Sequence, residues 1–269
     1  MKGYDQISIV RDGTALAGQI ERGHGSAVVL QHGLCADARQ PADLFPTDTG
    51  FRHAALDCRG HGNSAAGPLD LWSIATFADD VAAMIAGLTV PVAAVGGVSM
   101  GAAIALRLAV VRPDLVPALI FLRPAWITEH APANMLPNAV VGGMIAAGFG
   151  VADFDRTALA QTLAATAPDN LASLRGFFDR NPVPITAALL RQISADGPGV
   201  TEADLAALTI PVLIVACMDD VVHPVSHAQR LEALVPGSRL VMVPSKGQSA
   251  AGHRAGVQTA IAAFLKGLI

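Results

Sequence analysis

The sequence is poor in charged and aromatic side chains. Charged residues make up 15% of the 269 residues and aromatic residues 4%, against 52% hydrophobic residues. This balance excludes an intrinsically disordered chain, and it predicts a core built mainly from Ala, Val, Leu and Ile. The formal net charge of -4 indicates no basic surface, so we expect no nucleic-acid partner.

Cysteine is also scarce, and no segment has the pattern of a targeting or membrane element. Cys35, Cys58 and Cys217 stand singly, which excludes a C-x-x-C site and a framework of paired cysteines. Residues 1–13 contain no apolar stretch behind a basic start, so we expect no secretion signal and a cytoplasmic protein. Residues 131–152 are uncharged, but their prolines, asparagines and glycines argue against a membrane helix.

Short apolar segments alternate with helix-like segments along most of the chain. An Asp12-Gly13 turn predicts an N-terminal antiparallel hairpin. Buried strands are predicted at residues 27–31, 51–56, 91–98 and 117–122, and further strands at residues 211–217 and 239–243. Helices are predicted at residues 73–86, 102–110, 225–234 and 255–268. The alternation predicts an α/β protein with a doubly wound, mostly parallel sheet.

The alternation is interrupted between residues 126 and 208. This stretch has helix-like pieces at residues 157–165, 171–178 and 185–193, which proline and glycine separate, and it has no convincing strand. We therefore predict a core formed by residues 1–125 and 209–269, with residues 126–208 inserted as a helical cap. At this length the core can bury roughly three quarters of the surface of the unfolded chain.

The strongest chemical motif is G-x-S-x-G at residues 97–101. It follows a predicted strand and opens a predicted helix, which is the context of a nucleophile elbow. The turn is too sharp for a Cβ atom at Gly97 or Gly101, so Ser99 is expected to have a strained backbone and an exposed hydroxyl. A hydroxyl is a weak nucleophile at neutral pH. Ser99 therefore needs an imidazole base, oriented by a carboxylate.

With these motifs the sequence resembles the α/β-hydrolase fold family, in its single-cap branch. Residues 57–64, DCRGHGNS, are similar to the family's D-x-R-G-H-G-x-S loop, whose residues mostly have structural roles. Residues 32–34, HGL, stand where the family has its H-G-x turn. The resemblance implies an oxyanion hole formed by the backbone N–H groups of Leu34 and Met100. His32 and His61 are expected to bind backbone groups.

The resemblance also implies the catalytic acid, and it raises a difficulty over the base. Asp220 has the family's spacing of four residues before a proline, and Asp219 is the less favoured alternative. The family's histidine follows a glycine after the last strand, where this sequence has Gln248. An amide cannot accept a proton at neutral pH, so we interpret the chain as a His-to-Gln inactivated form of a working hydrolase. The alternative is that a longer loop brings His253 to Ser99.

Other candidate residues carry weaker signals. His223 and His227 are interpreted as solvated residues at the start of a helix, because a shared metal would lack a third ligand at a familiar spacing. Arg123 follows a central strand, where it is expected either to bind a substrate carboxylate or to form a structural ion pair with a loop or cap acid. Trp126 is predicted to line the substrate pocket. The other large apolar cap residues predicted near Ser99 are Met135, Met144, Phe149, Phe154, Phe177 and Phe178.

The predicted function is that of a serine hydrolase which cleaves a small or medium, partly apolar ester, lactone or thioester through an acyl-enzyme. We expect a small-molecule substrate and neither a cofactor nor a metal. A carbon–carbon bond hydrolase and an acyltransferase with the same nucleophile remain open. So does a ligand-binding protein without catalytic activity, which Gln248 favours. The sequence leaves open whether the chain forms a homodimer.

Overall fold

The computed structural model describes residues 3–268, which form one sheet with helices packed on it. The strands are β1 (Tyr4–Arg11), β2 (Thr14–Glu21), β3 (Ala27–Gln31), β4 (Arg52–Leu56), β5 (Val92–Val98), β6 (Leu119–Leu122), β7 (Val212–Cys217) and β8 (Arg239–Val243). The helices are α1 (Arg39–Leu44), α2 (Ile74–Ala86), α3 (Met100–Val111), α4 (Leu136–Ala146), α5 (Val151–Asp155), α6 (Ala158–Thr166), α7 (Pro168–Arg175), α8 (Val183–Ser194), α9 (Glu202–Ala206), α10 (Val225–Leu234) and α11 (Ala250–Lys266).

The strand order confirms the predicted fold class. The sheet runs β1-β2-β4-β3-β5-β6-β7-β8. β1 and β2 form the antiparallel hairpin, and β2 pairs antiparallel with β4. All pairs from β4 to β8 are parallel. Because their carboxyl ends share one edge, the loops that follow β3, β5, β6 and β7 meet there, as the doubly wound arrangement requires.

The two faces of the sheet are buried against different helices. Val29 of β3 belongs to one apolar cluster together with residues of α2 and α3. Its neighbours Val28 and Leu30 belong to a second cluster with Val257 of α11. Adjacent side chains of a strand point to opposite faces, so a strand that is buried on both faces must be apolar throughout. This is why β3 and β7 have no exposed position.

The helices α4 to α9 lie between β6 and β7, in the stretch predicted to be the cap. α4 packs closely on α8. The closeness is seen at Gly142 of α4, where an added Cβ atom would lie 2.7 Å from the Cβ atom of Leu190 in α8. α4 falls inside the uncharged stretch 131–152, for which the sequence predicts no helix. Within residues 3–268, no helix has the length and apolarity needed to span a bilayer.

The loop after β4 is fixed by hydrogen bonds to backbone groups. The Asp57 carboxylate accepts from the N–H groups of Ala38 and Asn63, each at 2.8 Å. His61 Nε2 accepts from the Cys35 N–H at 3.0 Å, and burial lowers the pKa of His61 to about 3. His32 Nε2 accepts from the N–H of Cys58 at 3.0 Å. These imidazoles bind backbone groups, as expected, and they fix the turn that follows β3.

Candidate active site

Ser99 lies in a strained turn between β5 and α3. Its φ angle is 54°, in the left-handed region that disfavours a residue with a Cβ atom. The turn tolerates no side chain on either flank. A Cβ atom at Gly97 would lie 2.7 Å from the Gly101 Cα atom, and one at Gly101 would lie 2.3 Å from the Gln31 carbonyl oxygen. The two glycines therefore allow the sharp turn that presents the Ser99 hydroxyl at the edge of the sheet.

The imidazole that contacts Ser99 is that of His223, in the turn between β7 and α10. His223 Nε2 lies 2.9 Å from Ser99 Oγ. On the other side of the ring, Nδ1 lies 2.9 Å from each carboxylate oxygen of Asp220. A carboxylate can only accept, so Nδ1 carries the hydrogen and Nε2 is free to accept the Ser99 proton. This is the tautomer that a serine nucleophile requires.

Asp220 is held by donors from three different elements. Arg123, which follows β6, donates from Nε to Asp220 Oδ2 at 2.8 Å and also from Nη2 to the same oxygen. Asn170 of α7 donates to Oδ1 at 2.9 Å, and the backbone N–H of His223 donates to Oδ1 at 3.0 Å. Burial alone would raise the pKa of Asp220. The neighbouring charges and hydrogen bonds outweigh burial and hold this pKa well below its usual range.

The same environment keeps His223 neutral. Burial is the largest influence, and it lowers the pKa of His223 below the usual 6.5. Asp220 opposes this effect, whereas the positive charge of Arg123 adds to it. Arg123 Nη2 lies 3.0 Å from Nδ1 of the ring. Arg123 Nη2 and His223 Nδ1 both carry hydrogen in the productive tautomer. The positive charge of Arg123 so close to the ring therefore disfavours a second proton on His223.

Two backbone N–H groups near Ser99 have no partner among residues 3–268. They belong to Leu34, after β3, and to Met100, the first residue of α3. The turn after β3 lies against the nucleophile, since a Cβ atom at Gly33 would lie 3.6 Å from the Ser99 Cβ atom. Free donors in this position can stabilise an oxyanion.

A cavity of about 350 Å³ opens above Ser99 and His223. The turn after β3 and helices α4 and α7 contribute to its walls. Of the large apolar cap residues predicted to line the pocket, Phe177 is among the lining residues. Trp126, Met135 and Phe154 are instead buried in the packed interior, and Phe149 is exposed.

Comparison with known proteins shows the family of the chain. Residues 26–250 match the family model described as alpha/beta hydrolase fold. The chain belongs to the alpha/beta hydrolase fold family. "Putative carbamate hydrolase RutD" of Klebsiella pneumoniae is 28% identical over 208 residues, which cover 74% of this chain and 75% of that protein. The AB hydrolase superfamily protein YisY of Bacillus subtilis is 29% identical over 246 residues, covering 85% and 87% respectively.

A solved structure shows the same likeness. The enol-lactonase of Burkholderia xenovorans LB400 superposes with a TM-score of 0.66 at 25% sequence identity, over 97% of this chain and 98% of that one. The family's hydrolase-named members support an enzyme. They do not identify the substrate of this alpha/beta hydrolase.

The interpretation of Gln248 requires correction. Its side chain is exposed in the turn after β8, and within the described residues its only hydrogen bond runs from its backbone N–H to Ser245 Oγ, at 3.4 Å. His253, the alternative base, is buried, and its Nδ1 donates to the carbonyl of Pro244 at 2.9 Å. Neither side chain reaches Ser99 in this alpha/beta hydrolase, because His223 already occupies the position beside the hydroxyl.

The interpretations of three other residues are settled or corrected by their contacts. Arg123 lines the cavity but is bound to Asp220, so of its two predicted roles the structural ion pair is the one observed. Trp126 does not line the cavity: it is 1% exposed, and its Nε1 donates to the carbonyl of Asp196 at 2.9 Å. His223 is not solvated, because its side chain is only 11% exposed.

His223 is absent from the predicted site, because the family's histidine is expected after the last strand. The signal was the spacing Asp-x-x-His at residues 220–223. In a tight turn, this spacing brings the imidazole back onto the carboxylate three residues earlier. Asn170 was also missed, since nothing in the sequence links a cap asparagine to a carboxylate 50 residues further along the chain.

Proposed function

We propose that this alpha/beta hydrolase is an active serine hydrolase that uses His223 as its base, Ser99 as nucleophile and Asp220 as the orienting acid. The observation that carries the proposal is the continuous set of contacts from Ser99 Oγ through both ring nitrogens of His223 to Asp220, at 2.9 Å each. The proposed reaction is hydrolysis of a small or medium ester, lactone or thioester through an acyl-enzyme.

In the first half-reaction, His223 Nε2 takes the Ser99 proton as Oγ attacks the acyl carbon. The carbonyl oxygen becomes an oxyanion, which the N–H groups of Leu34 and Met100 stabilise. Each such donor contributes about 3 kcal/mol in comparable sites. When the tetrahedral intermediate collapses, the imidazolium returns its proton to the leaving alkoxide or thiolate, and the acyl group remains on Ser99.

In the second half-reaction, water replaces the leaving group. His223 accepts a proton from the water, whose oxygen attacks the acyl carbon, and the ring then protonates Ser99 Oγ as the ester bond breaks. The products are a carboxylic acid and the regenerated hydroxyl. Deacylation by an alcohol in place of water would make the protein an acyltransferase. The site geometry is the same for hydrolysis and for acyl transfer.

The size of the cavity and the relatives' names support a small acyl substrate. A cavity of about 350 Å³ lies at the lower end of the range for ligand pockets, so it favours a compact compound over a polymer. The names carbamate hydrolase and enol-lactonase both denote cleavage at an acyl carbon. Carbamates therefore join esters and lactones as substrates to be tested.

The acyl-enzyme is tested with 4-nitrophenyl butyrate under pre-steady-state conditions. We expect a burst of one 4-nitrophenolate per protein and a butyryl adduct on the peptide that contains Ser99, detected by mass spectrometry. Ser99→Ala should abolish both. Ser173→Ala is the matched control, because Ser173 lies on the cavity wall without contacting His223 or Asp220. Full turnover by Ser99→Ala would contradict the proposal, and the absence of any adduct in the unaltered protein would favour a ligand-binding protein.

A further inference from the structure

Two basic side chains at the candidate active site have no acidic partner. Lys246, in the turn after β8, and Arg180, after α7, both line the cavity that contains Ser99. Within residues 3–268 neither forms an ion pair. Arg180 donates to the Cys35 carbonyl and lies over the Phe177 ring, and Lys246 makes no hydrogen bond. The third basic residue of the cavity, Arg123, is neutralised by Asp220.

The cavity wall therefore carries positive charge in a chain whose net charge is -4. Among residues 3–268, the acidic side chain that pairs with Arg123 and His223 is Asp220, which these partners already occupy, and the Asp169 carboxylate acts on Lys246 only at longer range, without an ion pair. Lys246 is one of three lysines in the sequence. It also lines a second cavity of about 330 Å³, which shares Gln40, Val98 and Arg123 with the first. Lys246 thus borders both spaces.

A buried amide in the same wall also lacks a partner. Asn138 of α4 is 6% exposed and lines the cavity. No hydrogen bond from its side chain to another residue of the range 3–268 is found. Its amide is not among the fully buried, unsatisfied polar atoms of the described residues, so it is accessible from the cavity that it lines. A donor that faces a cavity without a partner is available to a ligand.

We propose that this site takes anionic acyl compounds, in which a carboxylate on the acyl chain binds Lys246, with Arg180 and Asn138 as further donors. The proposal rests on the proposed hydrolase function and adds the substrate class to it. A carboxylate accepts several hydrogen bonds and pairs with an ammonium group. The half-ester of a dicarboxylic acid meets this requirement, and its hydrolysis product is a dicarboxylate that should bind the same groups.

The test uses adipate as a product-like probe and adipamide as its neutral counterpart, with affinities measured by titration calorimetry at low salt. We expect adipate to bind about tenfold more tightly than adipamide, or more, as for one hydrogen-bonded charge pair. Lys246→Met should remove most of this preference. Lys266→Met is the matched control, because Lys266 lies in the last turn of α11, outside both cavities. Adipate should also slow the labelling of Ser99 by a fluorophosphonate.

Equal affinities for adipate and adipamide, no binding of adipate, or a preference that survives in the Lys246→Met/Arg180→Met double variant would overturn the proposal. The hydrolase function is judged separately, by the turnover of 4-nitrophenyl butyrate. A protein that turns over this neutral ester but does not distinguish adipate from adipamide refutes the anionic substrate class alone. A protein that binds adipate selectively but neither turns over the ester nor reacts with a fluorophosphonate at Ser99 refutes the hydrolase function.

Discussion

His223 owes its place to the turn that also holds Asp220. The acid and the base lie three residues apart, and the N–H of His223 donates to the carboxylate that its own ring contacts. Base and acid are thus positioned by one short segment, whereas the turn after β8 contributes Lys246 to the cavity wall. Arg123, which follows β6, and Asn170 of α7 donate the other side-chain hydrogen bonds that the Asp220 carboxylate accepts.

This arrangement predicts the pH dependence of the reaction. The base acts only when neutral, and burial lowers the pKa of His223 below its usual 6.5. We therefore expect kcat/KM to rise with pH through an apparent pKa below 6.5 and to stay constant through neutral pH. In Arg123→Met, the charge that opposes the imidazolium is lost, so the acidic limb should move to higher pH. The measurement is kcat/KM for 4-nitrophenyl butyrate in a series of buffers from acidic to mildly alkaline pH.

Two results would contradict this explanation of the pH dependence. One is an acidic limb at or above 6.5 in the unaltered protein. The other is a limb that moves to lower pH in Arg123→Met. Arg112→Met serves as the control, because Arg112 pairs with Asp114 on the surface and has no contact with the site.

Among the elements, α4 and α8 form a close helix pair in the stretch predicted to be the cap. α4 carries Asn138 on the cavity wall, and its close approach to α8 depends on Gly142. The adjacent Gly143 is exposed, and a Cβ atom there would have nothing within 4 Å. These neighbouring glycines have the same helical backbone but opposite surroundings, so they form a matched pair.

Alanine substitutions at the two glycines should have effects of opposite sign. Gly142→Ala should lower the free energy of unfolding by about 1–3 kcal/mol, because the new methyl group overpacks the contact with Leu190. Gly143→Ala should raise it by about 0.5–1 kcal/mol, because alanine loses less conformational entropy in a helix. Urea unfolding followed by circular dichroism measures both. Equal effects of the two substitutions would show that α4 does not pack on α8 as described.

The elements also show which parts of the fold can be predicted from sequence. β3, β8 and α10 have the bounds that the sequence predicts, because an apolar strand or a helix with one apolar face leaves a local signal in the sequence. α4 leaves no such signal, since it has no charged face and contains Pro137 and two glycines. The sequence predicts Trp126 in the pocket, because it is a large apolar residue at the start of the predicted cap. Only tertiary packing shows that its indole bonds Asp196 instead.

Over the whole molecule, the site is assembled from loops at the carboxyl edge of one sheet. Ser99 follows β5, Arg123 follows β6, and Asp220 and His223 follow β7. A buried ion pair between Arg59 and Asp80, both with fully buried side chains, ties the loop after β4 to α2. A buried pair of this kind is costly to break, so it holds these two elements in one arrangement.

A site residue can be predicted from the sequence when neighbouring residues fix its position, and cannot when only distant contacts do. The position of Ser99 in its turn could be predicted because the turn needs glycines at fixed spacing, and Asp220 is favoured by the family's spacing to a proline, here Pro224. The base could not be identified in this way, because an imidazole reaches Ser99 only through the folded juxtaposition of two strand ends. Family position therefore favours Gln248, whereas the observed contact with Ser99 is made by His223.

The most direct test of this account is the rate at which a fluorophosphonate labels Ser99 in the unaltered protein, in His223→Gln and in Gln248→Ala. We expect the unaltered protein and Gln248→Ala to react at the same rate. His223→Gln should react several orders of magnitude more slowly, since loss of the triad histidine costs about 10⁶-fold in turnover in a comparable hydrolase. Labelling of His223→Gln at the unaltered rate, or labelling that begins only after Gln248→His, would contradict the assignment of His223 as the base.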